Sequence, residues 1–258
     1  MLFILYCKNE GSSRRDAGRN VSDTVPETMT PELSASTPKN RVLSTGERLL
    51  LEAGLREMGI SCHDMALGNL IGRGQYGKPF FPSLPNVCFN FSHSGSWVAC
   101  AFSDREVGLD IQAHDQLRVD GLRIARRFFT DPEYRALLSL SSDQAAMNSL
   151  FFRFWTIKEA YLKYVGCGLY AEPDSFLPIP DGHRSEPGGS PCISTGRSVD
   201  PDSYFFFPYG RIKILKKKDL LTPGVYALLP APDGYTMAVS AESLPSQISV
   251  RRINTRNQ

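Results

Sequence analysis

The chain alternates between stretches of regular hydrophobic spacing and stretches with almost none. Leu49, Leu50, Leu51, Ala53 and Leu55 recur at helical spacing and predict a helix over 46–58. Residues 87–91, 97–102 and 107–112 read as strands; in the last, Val107, Leu109 and Ile111 alternate with Gly108, Asp110 and Gln112. A helix is expected over about 119–129 and another from Thr130-Asp131-Pro132-Glu133, a capping sequence with proline in the first turn. The longest helical pattern runs from about 146 to 165 and stops at Gly166 and Gly168. Strand-like runs follow at 204–208, 211–215, 224–229 and 235–241. Between these lie segments rich in Ser, Thr, Pro, Gly and Asn: an arm over 11–40, a loop over 72–86, a connection over 171–203 and a loose tail from Ser246. No repeat of solenoid length is present.

Charge narrows the picture only a little. The 258 residues carry 29 Lys+Arg and 27 Asp+Glu, a net charge of +2. That balance excludes a nucleic-acid binder acting through its whole surface, so an anionic ligand must be met by a few placed cations. No run of apolar residues is long enough to cross a bilayer, and the opening Met1–Cys7 segment lacks the leading positive charge of a signal peptide. The six cysteines show no CxxC pair or Cys/His ligand spacing, which points to free thiols and a cytoplasmic location.

The candidate chemistry sits between 76 and 169. On the strand 107–112, Asp110 and Gln112 share one face, and Gly108 leaves room there for something bulky to approach. Paired oxygen ligands of this kind suit Mg²⁺, but the strand taken alone favours an ordinary edge strand with a solvated polar face. The long helix is apolar around most of its circumference, with Phe151, Phe152, Phe154, Trp155, Ile157, Tyr161 and Leu162, yet contains Lys158, Glu159 and Lys163. Buried charges must be paired or used, and Glu159 and Lys163 are neighbours on one face. In Asn90-Phe91-Ser92-His93-Ser94-Gly95, adjacent Ser92 and His93 point to opposite sides if extended, which disfavours a serine hydrolase, and G-x-S-x-G is absent. The glycines at 72, 74 and 77 match neither phosphate-binding loop spacing.

In order, Tyr76-Gly77-Lys78-Pro79, Asn90-Phe91-Ser92-His93-Ser94, Val107-Gly108-Leu109-Asp110-Ile111, Phe154-Trp155-Thr156-Ile157-Lys158-Glu159-Ala160-Tyr161-Leu162-Lys163 and Gly166-Cys167-Gly168-Leu169 resemble the signature of Sfp-type 4′-phosphopantetheinyl transferases. The resemblance covers about residues 76–177. It implies an α+β fold of two similar α/β subdomains related by a pseudo-twofold, with the active site between them. The corresponding division is an arm over 1–40, subdomains over 41–115 and 116–245, and a tail over 246–258.

The resemblance further implies Mg²⁺-dependent transfer of 4′-phosphopantetheine from coenzyme A to a serine of an acyl or peptidyl carrier protein, releasing 3′,5′-ADP. Fatty-acid, polyketide and nonribosomal-peptide pathways all use such carriers. Asp110, Gln112 and Glu159 are the implied metal ligands, and Glu159, Lys163 and His93 the implied catalytic residues. Tyr76, Gly77, Lys78, Pro79, Ser92, His93, Lys158 and Lys163 are the implied coenzyme A contacts. Many family members have glutamate where this chain has Gln112. Residues 8–40 do not match the family's opening strand and basic stretch, leaving Lys39 or Arg41 as stand-ins. The partner implied is an acidic carrier protein, and the chain is expected to act as a monomer without nucleic acid or membrane. The basic run Arg211–Lys218 is one candidate docking surface, and a solvated strand edge guarded by lysines explains it at least as well. A coenzyme A or carrier-binding module without catalysis, and a hydrolase using Ser92 and His93, are the rival readings.

Overall fold

A computed structural model describes residues 1–9, 43–61, 67–116, 121–180, 209–216 and 219–254. The expected arm over 11–40, with Lys39, the stand-in Arg41 and the expected strand 204–208 lie outside the described residues. The fold is α+β. Its strands are β1 (Leu2–Lys8), β2 (Gly72–Arg73), β3 (Pro79–Phe80), β4 (Cys88–Ser94), β5 (Trp97–Ser103), β6 (Val107–Ala113), β7 (Phe176–Pro180), β8 (Tyr209–Ile214), β9 (Gly224–Leu229), β10 (Tyr235–Ala241) and β11 (Ser249–Arg252). The helices are α1 (Thr45–Glu57), α2 (Gly121–Phe128), α3 (Asp131–Ser139) and α4 (Gln144–Val165).

Two sheets carry the architecture, in the orders β11-β1-β5-β4 and β6-β10-β9-β8-β7. Each contains the same unit: a strand, a helix, then two strands, arranged so that the last lies between the other two. The first unit is β1-α1-β4-β5 and the second β6-α4-β9-β10. This repeated topology is the two-subdomain organisation the resemblance implies.

Strand alternation sorts the side chains into layers. Phe3, Leu5 and Cys7 of β1 and Val98, Cys100 and Phe102 of β5 pack against Leu50, Leu51 and Leu55 of α1. The opposite faces of the two sheets meet around Ile4, Ala99, Ala101, Leu109, Ile111, Met237 and Val239. The outer face of the second sheet is covered by α4 through Ile157, Ala160, Tyr161 and Tyr164. The order of layers is therefore helix, sheet, sheet, helix.

Helix ends follow local rules. Ser44 and Glu47 form a capping box at α1, and Thr130 and Glu133 form one at α3. Asp143 accepts hydrogen bonds from the N–H groups of Ala145 and Ala146, starting α4 two residues earlier than expected, and Gly166 ends it at φ +77°.

Three elements differ from expectation. β6 belongs to the second sheet, so the first unit ends at β5 and the boundary lies before residue 107 rather than at 115. The expected loose tail contains β11, which pairs in parallel with β1 and places that opening apolar segment inside the first sheet. β7 forms within the Pro-rich connection; it is an edge strand, where Pro178 and Pro180 are tolerated because one side needs no ladder bonds.

Candidate functional site

The site forms where the edge of the first sheet meets the edge of the second. β4 and β6 run side by side in parallel, joined by side chains. Asn90 Oδ1 accepts from the N–H of Leu109 (3.0 Å), Ser92 Oγ from Ile111 (3.1 Å) and Ser94 Oγ from Ala113 (2.9 Å). The three residues are two apart and share one face of β4, so the Asn-x-Ser-x-Ser pattern satisfies a row of buried donors along β6. Sequence reasoning singled out Ser92 but missed Asn90 and Ser94; their period-two spacing was the available signal.

Directly behind this seam, α4 lies almost on the backbone of β6. A Cβ at Gly108 would stand 2.1 Å from Ala160 O and Tyr164 N. The bulky group that Gly108 admits is therefore the helix itself. This close approach brings Lys163 onto Asp110: Nζ lies 2.7 Å from Oδ1 and 2.9 Å from Ser92 Oγ. Ser92 Oγ also donates to Asp110 Oδ1 at 2.8 Å, and Gln112 Nε2 donates to Oδ2 at 2.9 Å. Asp110 is 2% exposed. Two of the three Lys163 ammonium hydrogens are thus used, leaving one for a ligand.

Glu159 sits one turn before Lys163 and is partly exposed. Among the described residues its carboxylate makes no hydrogen bond or ion pair. Burial and then the charge of Asp110 push its pKa up to about 7, against the lowering effect of Lys163. Two neighbouring carboxylates, one without a partner, form an oxygen-only donor set that fits a hard divalent cation such as Mg²⁺. Among the described residues no group of three or more His, Cys, Asp or Glu could hold a metal. Asp110 and Glu159 would supply the protein carboxylates, with substrate and water oxygens completing the shell. Gln112 presents its amide N–H to Asp110 here; its oxygen would serve a cation only after a half-turn of the amide.

The remaining expected residues divide. Tyr76–Lys78 lie in the turn between β2 and β3 and Pro79 opens β3, with Gly77 at φ +84° and Arg73 Nη1 donating to Gly77 O at 2.9 Å. Lys78 Nζ reaches Tyr164 O at the end of α4 (2.8 Å) and pairs with Glu106, so the turn is fastened against the helix C-terminus. Tyr76 packs on Tyr170, ring centroids 4.9 Å apart. His93 is exposed on the face of β4 opposite Ser92, as its neighbouring position requires. The structure therefore does not unite Ser92 and His93 as a hydrolase pair.

Lys158 does not join the expected ligand contacts. It is 1% exposed, and its Nζ donates to Pro173 O and Phe176 O, both at 2.8 Å, and pairs with Glu133 at 3.0 Å. All three of its donors are spent inside the protein. The adjacent residues 158 and 159 leave the helix about 100° apart, which sends one to the interior and the other to the site. Glu133 was not expected to matter beyond its cap.

Two like-folded halves thus meet at a seam that carries a carboxylate pair, a lysine and a serine. The family model of the 4'-phosphopantetheinyl transferase superfamily matches residues 106–198. The chain is 32% identical over 171 residues to a 4'-phosphopantetheinyl transferase of Bacillus subtilis, covering 62% of this chain and 69% of that protein. It is 38% identical over 138 residues to the 4'-phosphopantetheinyl transferase Sfp of Bacillus subtilis (strain 168), covering 49% of this chain and 57% of that protein's length. A Xenopus laevis L-aminoadipate-semialdehyde dehydrogenase-phosphopantetheinyl transferase is 36% identical over 110 residues, covering 39% and 36%. The chain belongs to the 4′-phosphopantetheinyl transferase family.

Proposed function

We propose that this protein transfers the 4′-phosphopantetheine group of coenzyme A to a serine hydroxyl of an acyl or peptidyl carrier protein. The observation that carries this reading is the meeting of Asp110, Glu159 and Lys163 at the β6–α4 contact, beside the seam of the two halves. The names borne by the relatives support it.

In this reading the serine oxygen bonds to the phosphorus that carries the pantetheine arm, and the bond from that phosphorus to the bridging oxygen breaks. 3′,5′-ADP leaves with that oxygen. Such transfers ask the protein mainly for positioning and charge stabilisation. A Mg²⁺ held by Asp110 and Glu159 would neutralise charge developing on the diphosphate. The free hydrogen of Lys163 donates to a phosphate oxygen. Ser92 and Gln112 hold Asp110 in place by hydrogen bonds to its two oxygens. The serine hydroxyl is a poor nucleophile, and its proton passes to Glu159 directly or through one water.

The turn at Tyr76–Pro79 and the exposed His93 are the coenzyme A contacts of this proposal, outside the carboxylate cluster. Incubation with apo carrier protein, coenzyme A and Mg²⁺ should add the mass of one phosphopantetheine to the carrier. No mass increment on any acyl or peptidyl carrier rejects the reading.

A further inference from the structure

The turn that carries Tyr76, Gly77 and Lys78 is closed by its own backbone. Gly74 N–H donates to Lys78 O and Gly77 N–H to Gly74 O, both at 2.9 Å. Its attachment to the second half is made by side chains. Lys78 Nζ donates to Tyr164 O at 2.8 Å and pairs with Glu106, and the Tyr76 ring rests on Tyr170. The lysine stem crosses the end of α4, where a Cβ at Gly166 would stand 3.0 Å from Lys78 Cδ.

Glu106 is the residue before β6 and stands four ahead of Asp110. Among the described residues its ion-pair partner is Lys78. The Lys78 side chain is 17% exposed and that of Glu106 63%, so the ammonium is held in a drier place than the carboxylate that reaches for it. The carbonyls at a helix C-terminus already attract a cation. The carboxylate adds a second bond from the start of β6, which fixes the direction of the ammonium. Two of its three hydrogens are then used, and Lys78 acts as a strut between the turn, the helix and the strand. The strut ends on Tyr164, the residue after Lys163, whose own ammonium faces Asp110. The turn and the carboxylate cluster are thereby held to the same stretch of α4.

We propose that Glu106 is a positioning residue for coenzyme A binding: through Lys78 it fixes the Tyr76–Lys78 turn against α4 and β6. The inference rests on the transferase reading, because it takes that turn to be a coenzyme A contact. Removing the carboxylate has two effects of opposite sign. It loosens the turn, which weakens binding, and it removes a negative charge and releases a lysine, which favours an anionic ligand. A positioning role requires the first effect to win.

The test uses the full chain as wild type, E106Q, E106D, K78M and K78M/E106Q. Coenzyme A binding is measured by calorimetry with Mg²⁺ and no carrier, and transfer by the mass of an apo acyl carrier protein. E106Q should raise Kd and KM for coenzyme A about threefold to fivefold, the scale of a partly exposed ion pair. Its kcat at saturating coenzyme A, its KM for carrier and its melting temperature should match wild type. E106D, which keeps the charge, should lie between wild type and E106Q. In the K78M background, E106Q should add no further loss, because the two residues act as one unit. Unchanged coenzyme A affinity in E106Q overturns the proposal. So does tighter binding, which would mean that Glu106 withholds Lys78 from the ligand, and so do additive losses in the double variant. If wild type binds coenzyme A, E106Q weakens it and no transfer occurs, the positioning role stands and the transferase reading falls. If wild type and E106Q transfer and bind coenzyme A equally, the reverse holds. Absence of coenzyme A binding by wild type overturns both.

Discussion

The two halves share one topology but solve the contact between helix and sheet in opposite ways. In the first, the small residues are on the helix: a Cβ at Gly54 would meet the Phe102 ring at 2.1 Å, and one at Gly46 would meet Val98 at 2.7 Å. Bulky strand side chains fill the space beneath α1, and the contact is apolar. In the second, the small residue is on the strand. Gly108 lets the backbone of α4 settle on β6, and the contact carries Asp110, Glu159 and Lys163. One arrangement builds a core; the other lowers a charged helix face onto a strand carboxylate. A repeated fold can thus keep one copy for stability and give the other to chemistry by moving a glycine from helix to strand.

The charges of α4 sharpen that contrast, because the helix also holds a buried ion pair on its far side. Replacing Lys158 with methionine leaves Glu133, 0% exposed, without its cation, and one of its oxygens, Oε1, already lacks a partner. The expected cost is about 3–5 kcal/mol, read by denaturant unfolding. The double variant K158M/E133L should recover much of it. If K158M unfolds like wild type, the pair does not anchor the helix.

Asp110→Ala should lower transfer about 10²–10³-fold while leaving the far-UV spectrum unchanged. Leu51→Ala in the first half should do the converse, costing about 2–5 kcal/mol of stability while kcat per folded molecule is kept. Loss of kcat in Leu51→Ala would contradict the division of labour between the halves.

The glycines permit a direct exchange. Gly108→Ala drives a methyl group into helix backbone and should exceed the about 1–3 kcal/mol usual for overpacking, with transfer lost alongside. Gly54→Ala meets the Phe102 side chain rather than backbone, and alanine regains about 1 kcal/mol of helix propensity, so its melting temperature should fall less. Equal losses would remove the distinction.

The smallest effect is one of pH. Glu159 titrates at about 7 in the folded chain, above the roughly 4.3 of an unperturbed glutamate. A carboxylate with a raised folded pKa stabilises the fold fully below its unfolded pKa and loses that contribution as pH rises through the folded one. In EDTA, wild type should therefore lose stability relative to Glu159→Gln between about pH 4.3 and pH 7. Parallel melting curves for the two proteins across that range would show that Glu159 does not titrate there.

Much of the site was legible in short stretches of chain. Alternation put Asp110 and Gln112 on one face, helical spacing put Glu159 beside Lys163, and adjacency put His93 opposite Ser92. The error over Lys158 has a clear cause. Its neighbours in the sequence are those of a site, but its direction depends on α3 and on the carbonyls of Pro173 and Phe176, elements whose positions no local pattern encodes. β1, β7 and β11 were missed for a related reason, since an isolated apolar run or a proline-bearing edge becomes a strand only when a neighbour supplies its hydrogen bonds.

The sequence by itself determined where helices begin and end, which strand faces are polar and which motif residues share a face. Those features depend on backbone stereochemistry and side-chain bonding within a few residues. The tertiary structure alone decided that Asn90, Ser92 and Ser94 would join two sheets, that Gly108 would admit a helix, and that Glu159 would stand beside Asp110 while Lys158 turned inward. Those outcomes require residues distant in the chain to exclude water together, and their energies exist only once both sides of each contact are in place.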